Sequence, residues 1–137
     1  MALDVLVVDD EADIRELVGG VLEDEGYTAR VAGNSDAALA ALAERRPALV
    51  VLDVWLQGSR LDGLELLDEI KSRDVTIPVV VISGHGNIET AVAALKRGAN
   101  DFLEKPFEAG TLMHAVARAT ETERLRREVE ELKVRVG

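Results

Sequence analysis

The chain has 137 residues, 47% of them hydrophobic and 31% charged, the makeup of one folded domain rather than of a disordered or fibrous segment. Its 16 basic and 26 acidic residues leave a net charge of −10, which opposes attraction to nucleic acid or anionic lipid. Cysteine is absent and His85 and His114 are the only histidines, so disulfides and thiol catalysis are excluded and a Cys/His zinc site has almost no material. Apolar runs such as Pro78–Ile82 fall far short of the ~20 residues that span a bilayer, and Asp4 interrupts any signal-peptide pattern. A cytoplasmic location is the expectation.

Two hydrophobic periods alternate along the chain. Leu3–Val8 is an apolar run ended by acids; Ile14, Leu17, Val18, Val21 and Leu22 then recur at helical spacing, and Gly26 closes the segment as a helix C-terminal glycine does. Tyr27–Ala32 reads as a strand, Asn34 or Ser35 as the cap of a helix carrying Ala38, Leu39 and Leu42, and Ala48–Leu52 as the next strand. Leu64, Leu67 and Ile70 mark a third helix and Pro78–Ile82 a fourth strand. Ile88, Ala91, Val92 and Leu95 form a helix closed by Gly98, Asp101–Leu103 a short strand, and Glu108 opens a last helix. The pair Gly19–Gly20 inside the first helix is unfavourable there unless something packs closely against it.

Five strands alternating with five helices, several of the strands apolar throughout, predict a doubly wound α/β fold with a parallel sheet covered on both faces. Function in such sheets gathers at the carboxyl ends of the strands. There the sequence places Asp9-Asp10 after strand 1, Asp53 after strand 3, Ser83-Gly84 after strand 4 and Glu104-Lys105-Pro106 after strand 5. Each residue has a plain explanation alone: Asp9 or Asp10 as a helix cap, Asp53 as a turn residue, Ser83 as a cap, Lys105 as a solvated charge. Together they need a common one. Three converging carboxylates repel one another unless a cation offsets them, and oxygen-only ligands favour Mg2+. A carboxylate beside such an ion, facing a lysine and a serine hydroxyl, is equipped to attack a phosphoryl group and form an aspartyl phosphate.

The motifs Leu6-Val7-Val8-Asp9-Asp10-Glu11, Leu52-Asp53, Asp62-Gly63-Leu64, Val81-Ile82-Ser83-Gly84-His85 and Gly98 to Phe107 resemble, in order and spacing, those of the response-regulator receiver domains of two-component signalling. The resemblance covers about residues 3–120 and implies a flavodoxin-like sheet of order 2-1-3-4-5. It further implies that Asp53 is the phosphoacceptor, that Asp9, Asp10, Asp53 and the Trp55 main-chain carbonyl hold Mg2+, and that Ser83 and Lys105 contact the phosphoryl group. Phe102 matches the switch aromatic of the family, Lys105-Pro106 its cis peptide, and Trp55 and His85 the positions that flank the path of hydrolytic water. The segment Val54 to Gly63 departs from the pattern: it lacks the usual proline and is about two residues longer, resembling the nitrogen-regulation members of the family.

The implied partners are a sensor histidine kinase and, in a full-length protein, AAA+ and DNA-binding output domains, with no nucleic-acid or membrane contact by this domain. Residues 1–120 would form the receiver. Residues 121–137 would be a helical extension starting a linker, whose Leu125, Val129, Leu132 and Val136 seam fits a parallel two-stranded coil and a weak homodimer. The alternative is a haloacid-dehalogenase-type phosphatase, but that chemistry needs a second Asp two residues after the nucleophile, where this chain has Trp55. Dinucleotide and P-loop fingerprints are absent, and His85 follows Ser83 without a nucleophile elbow. His114 falls in the last helix as a surface residue. An enzyme in its own right is not expected.

Overall fold

The apolar runs become strands because each can bury both of its faces. The computed structural model describes residues 3–84 and 88–136 and shows five of them: β1 (Asp4–Val8), β2 (Thr28–Ala32), β3 (Leu49–Asp53), β4 (Val79–Ser83) and β5 (Asp101–Glu104). They pair in parallel in the order β2-β1-β3-β4-β5. Every residue of β3 and β4 is buried, which is why their sequences run apolar without alternation.

The helices α1 (Ala12–Asp24), α2 (Ser35–Glu44), α3 (Gly63–Arg73), α4 (Ile88–Lys96) and α5 (Ala109–Val136) divide between the two faces. Leu6, Val8, Val50, Leu52, Val79 and Val81 meet Ala38 of α2, Leu66, Leu67 and Ile70 of α3 and Ala94 of α4. Their sequence neighbours Val5, Val7, Leu49, Val51, Val80 and Ile82 point the other way, onto Val18 and Leu22 of α1 and Leu112, Ala115 and Val116 of α5. The sheet is thus sandwiched between two cores, and the positions that carry chemistry are left at the strand ends.

Local signals fix the helix starts. Asn34 caps α2 by accepting the Ala37 N–H at 2.8 Å, and Asp62 and Glu65 form a reciprocal capping box at the head of α3. Asp9 and Asp10 do not cap α1; the capping position is Glu11, whose side chain makes no cap hydrogen bond. Three strands end one residue later than their hydrophobicity suggests, at Asp53, Ser83 and Glu104, because the ladder continues through the first polar residue.

The Gly19–Gly20 pair divides into two cases. Gly19 is buried and a Cβ there would meet that of Ala29 on β2 at 3.8 Å, an ordinary contact; Gly20 is exposed and a Cβ would meet nothing within 4 Å. Neither backbone has a positive φ. Gly20→Ala is therefore expected to stabilise the protein by about 0.5–1 kcal/mol, through a less flexible unfolded chain and better helix propensity. A lower urea midpoint in that variant would contradict the open space seen at Gly20.

α5 is 28 residues long. Its first three turns bury Leu112, Ala115, Val116 and Ala119, whereas beyond Thr120 every described side chain is exposed, including Leu125 at 48%, Val129 at 50% and Leu132 at 57%. The side chain of Val136, the fourth position of the expected seam, lies outside the described residues. Among the described residues no helix is long and apolar enough to cross a membrane.

Candidate functional site

The parallel register brings the ends of β1, β3, β4 and β5 to one edge of the sheet. Asp9 directly follows β1, its N–H held by the Ala32 carbonyl at 3.1 Å; Asp53 ends β3 and Ser83 ends β4; Lys105 follows β5, its N–H donating to the Ser83 carbonyl at 2.7 Å. Asp9, Asp53 and Ser83 are buried polar residues, at 0%, 2% and 0% exposure. Asp10 is half-buried, and carboxylate oxygens of Asp9, Asp10 and Asp53 all lie within 4.8 Å of one another.

Lys105 Nζ stands between two of these acids, 3.0 Å from Asp9 Oδ2 and 3.2 Å from Asp53 Oδ2. Main-chain donors hold the other oxygens: Glu11 N–H donates to Asp9 Oδ1 and Trp55 N–H to Asp53 Oδ1, both at 2.9 Å. Burial, and next the negative charge of Asp9, push the Asp53 carboxyl up to about 6, against the lowering influence of the Trp55 N–H and of Lys105. Burial alone would lower the Lys105 ammonium, but the contacts with Asp9 and Asp53 outweigh it and hold it above the ordinary lysine value. The Lys105–Pro106 peptide is cis.

The donor set fits a hard divalent cation. Asp9 Oδ2 is buried and accepts no hydrogen bond, though the Lys105 ammonium stands 3.0 Å away; three carboxylates gather here, and among the described residues the ligand atoms they offer are oxygens. Sequence reasoning found these residues but missed their supports. Arg15 on α1 donates to the Asp9 carbonyl at 2.8 Å, passing Gly33, where a Cβ would come within 3.2 Å of the guanidinium. Nothing in the pattern of α1 distinguishes Arg15 from a solvated helix charge.

Phe102 on β5 is partly buried against the core that also holds Val81 and Ala94. Trp55 lies two residues beyond Asp53 with 45% of its surface exposed. The expectation for His85 lies outside the described residues. His114 is exposed on α5, beside Thr111, Ala115 and Arg118.

A family model for the response regulator receiver domain matches residues 5–117. The chain belongs to that family. The receiver domain is 68% identical over 133 residues to the nitrogen assimilation regulatory protein NtrX of Azorhizobium caulinodans, covering 97% of this chain and 29% of the relative. It therefore spans less than a third of the length of that protein. The crystal structure of NtrX from Brucella abortus superposes on all of the chain with a TM-score of 0.96 at 62% identity, this chain covering 31% of it. The beryllofluoride-activated NtrC4 receiver domain, solved in solution as a dimer, matches with a TM-score of 0.82 at 39% identity over 88% of this receiver and 98% of that chain.

Proposed function

We propose that this receiver domain accepts a phosphoryl group on Asp53 from a sensor histidine kinase. The observation that carries the proposal is the meeting of Asp9, Asp10 and Asp53 oxygens within 4.8 Å, with Lys105 Nζ within 3.2 Å of two of those acids, at the sheet edge. With its carboxyl titrating at about 6, Asp53 is mostly the carboxylate at neutral pH and so available as a nucleophile. One of its oxygens attacks the phosphorus of a phosphohistidine; the P–N bond breaks, its electron pair stays on the imidazole nitrogen, and that nitrogen takes a proton from water. Lys105 balances negative charge on the transferring oxygens, and the Ser83 hydroxyl, at the end of the neighbouring strand, donates a hydrogen bond to the phosphoryl group on Asp53. Asp9, Asp10, Asp53 and the Trp55 carbonyl would hold Mg2+. When bound, that ion supplies positive charge to the phosphoryl oxygens.

Residues 1–120 constitute the receiver, and 121–137 begin a linker to AAA+ and DNA-binding output domains that control transcription, in keeping with the nitrogen regulation named for the relative from Azorhizobium. Recruitment of Ser83 to the phosphoryl group vacates space into which Phe102 turns, changing the face made by α4, β5 and α5. The exposed Leu125, Val129 and Leu132 suit weak pairing of two copies through α5. The bulk of Trp55, with His85, slows entry of hydrolytic water and lengthens the life of the aspartyl phosphate.

Intact-mass spectrometry after incubation with Mg2+ and phosphoramidate tests the assignment. A single phosphoryl adduct is expected in the wild type and none in Asp53→Asn or with Mg2+ chelated. An adduct that persists in Asp53→Asn places the acceptor elsewhere.

A further inference from the structure

The segment from Val54 to Asp62 is where the chain departs from the usual length of its family, and it is fastened far more firmly than its length suggests. Its two ends touch. Gly63 N–H donates to the Val54 carbonyl at 3.1 Å, and a Cβ on Gly63 would stand 2.2 Å from Val54 Cα. Leu56 turns inward to 7% exposure in the core, and Gly58, with φ at +68°, supplies a left-handed backbone position near the tip.

The second half of the loop is tied to a different element. Ser59 Oγ accepts the N–H of Ser35 at 2.8 Å, Ser35 Oγ accepts the N–H of Leu61 at 3.0 Å, and Arg60 pairs with Asp36 at 2.9 Å. Ser35 is fully buried and opens α2, so Ser59 satisfies from outside one of the first-turn N–H groups that a helix cannot satisfy for itself. The Arg60–Asp36 pair is exposed and adds little by comparison. On the other side of the loop, the Trp55 N–H is already anchored on Asp53 Oδ1.

Resting on the metal assignment above, we infer that Ser35 and Ser59 are positioning residues for the cation: by clasping the β3–α3 loop to α2 they hold the Trp55 carbonyl in place before the ion arrives. A ligand on a loose loop loses conformational freedom when the ion binds, and that loss weakens affinity. A longer loop is normally looser. The two serines offset this, so the extra residues do not cost the site its order.

Trp55 is the chain's single tryptophan, so its fluorescence reports on this loop without interference. Mg2+ titrations of Ser59→Ala are expected to show binding weakened by about tenfold, the lower end of the effect of groups that orient metal ligands. Ser59→Thr, which keeps the hydroxyl, should bind like the wild type, whereas Ser59→Ala, which leaves the Ser35 N–H without its acceptor, should also lose a few degrees of thermal midpoint while remaining folded at the temperature of the titration. Amide hydrogen exchange of the metal-free wild type gives an independent check, since the Ser35 and Leu61 N–H groups should be protected without Mg2+. Unchanged Mg2+ affinity in Ser59→Ala overturns the positioning role, as does protection of those two amides that develops only once Mg2+ is added. A wild type that takes up no Mg2+ by isothermal titration calorimetry overturns the metal assignment itself, a failure visible before any variant is made.

Discussion

Gly63→Ala is expected to destabilise the receiver by about 3 kcal/mol or more, a large share of the 5–15 kcal/mol that holds a domain of this kind together. The added Cβ would lie 2.2 Å from Val54 Cα, 2.4 Å from the Asp53 carbonyl oxygen and 2.6 Å from the Val54 carbonyl carbon. All three are main-chain atoms of β3 and the residue that follows it, held by the Val54 N–H bond to Ile82 at 3.0 Å, so no side chain can swing aside to make room. Relief requires α3 to back away from the sheet. That would break the Gly63–Val54 hydrogen bond and loosen Leu66 and Leu67, both fully buried. Gly20→Ala provides the contrast within the same protein, the same methyl group placed in open space. Equal denaturant midpoints for Gly63→Ala and the wild type would show that the approach of α3 to β3 is not as close as described.

The second large effect concerns pH. Asp53 keeps its proton up to about 6 in the folded protein, against an ordinary value of 3.8. The native state therefore binds more protons than the unfolded chain between those two values, and stability falls as pH rises through that window. Below it the penalty is absent; above it the penalty is complete and amounts to about 1–3 kcal/mol. Asp53→Asn removes the titration while leaving Asp9 beside Lys105, so the variant should be the more stable protein at pH 7 by that amount, with the difference vanishing near pH 4. Mg2+ should narrow the gap at pH 7 by stabilising the wild type. Asp74 does not blur the result. Burial would raise its carboxyl, but hydrogen bonds from Thr76 and Arg46 hold it down to about 2, so its contribution is present above 3.8 and is lost only as pH falls toward 2. Urea denaturation of both proteins from pH 4 to 7.5 measures the effect, and parallel curves would rule out Asp53 as the source.

What the sequence disclosed and what it hid follow from the range of the interactions involved. β1, β3 and β4 were legible because burial on both faces demands unbroken apolar runs, and the order of helices and strands then left few ways to assemble a parallel sheet. The convergence of Asp9, Asp53, Ser83 and Lys105 was legible for the same reason, since parallel strands of similar length end at one edge. The last residue of β3, β4 and β5 was missed because hydrophobicity stops where polarity begins, whereas backbone pairing does not. Ser35 and Ser59 left no trace at all. They lie 24 residues apart, and a serine's partner is set by the path of the chain rather than by any periodic pattern. Arg15 and the steric demand on Gly63 were hidden likewise, although the Asp62 to Glu65 spacing of the capping box was there to be read.

The proportions of α5 give the fold a mechanical character. The helix starts four residues after Lys105, at the edge where the acidic residues gather, and runs about 42 Å to Val136, of which about 24 Å lies past Thr120, where the described side chains are exposed. Its stretch from Leu112 to Ala119 packs on the core, which gives the helix the proportions of a beam supported near one end. A tilt of about 5° about that stretch, small enough for the packed core to absorb, sweeps the far end by about 2 Å, on the scale of helix shifts that re-register subunit contacts. Rearrangements too slight to notice beside Lys105 would be geometrically amplified at Leu132.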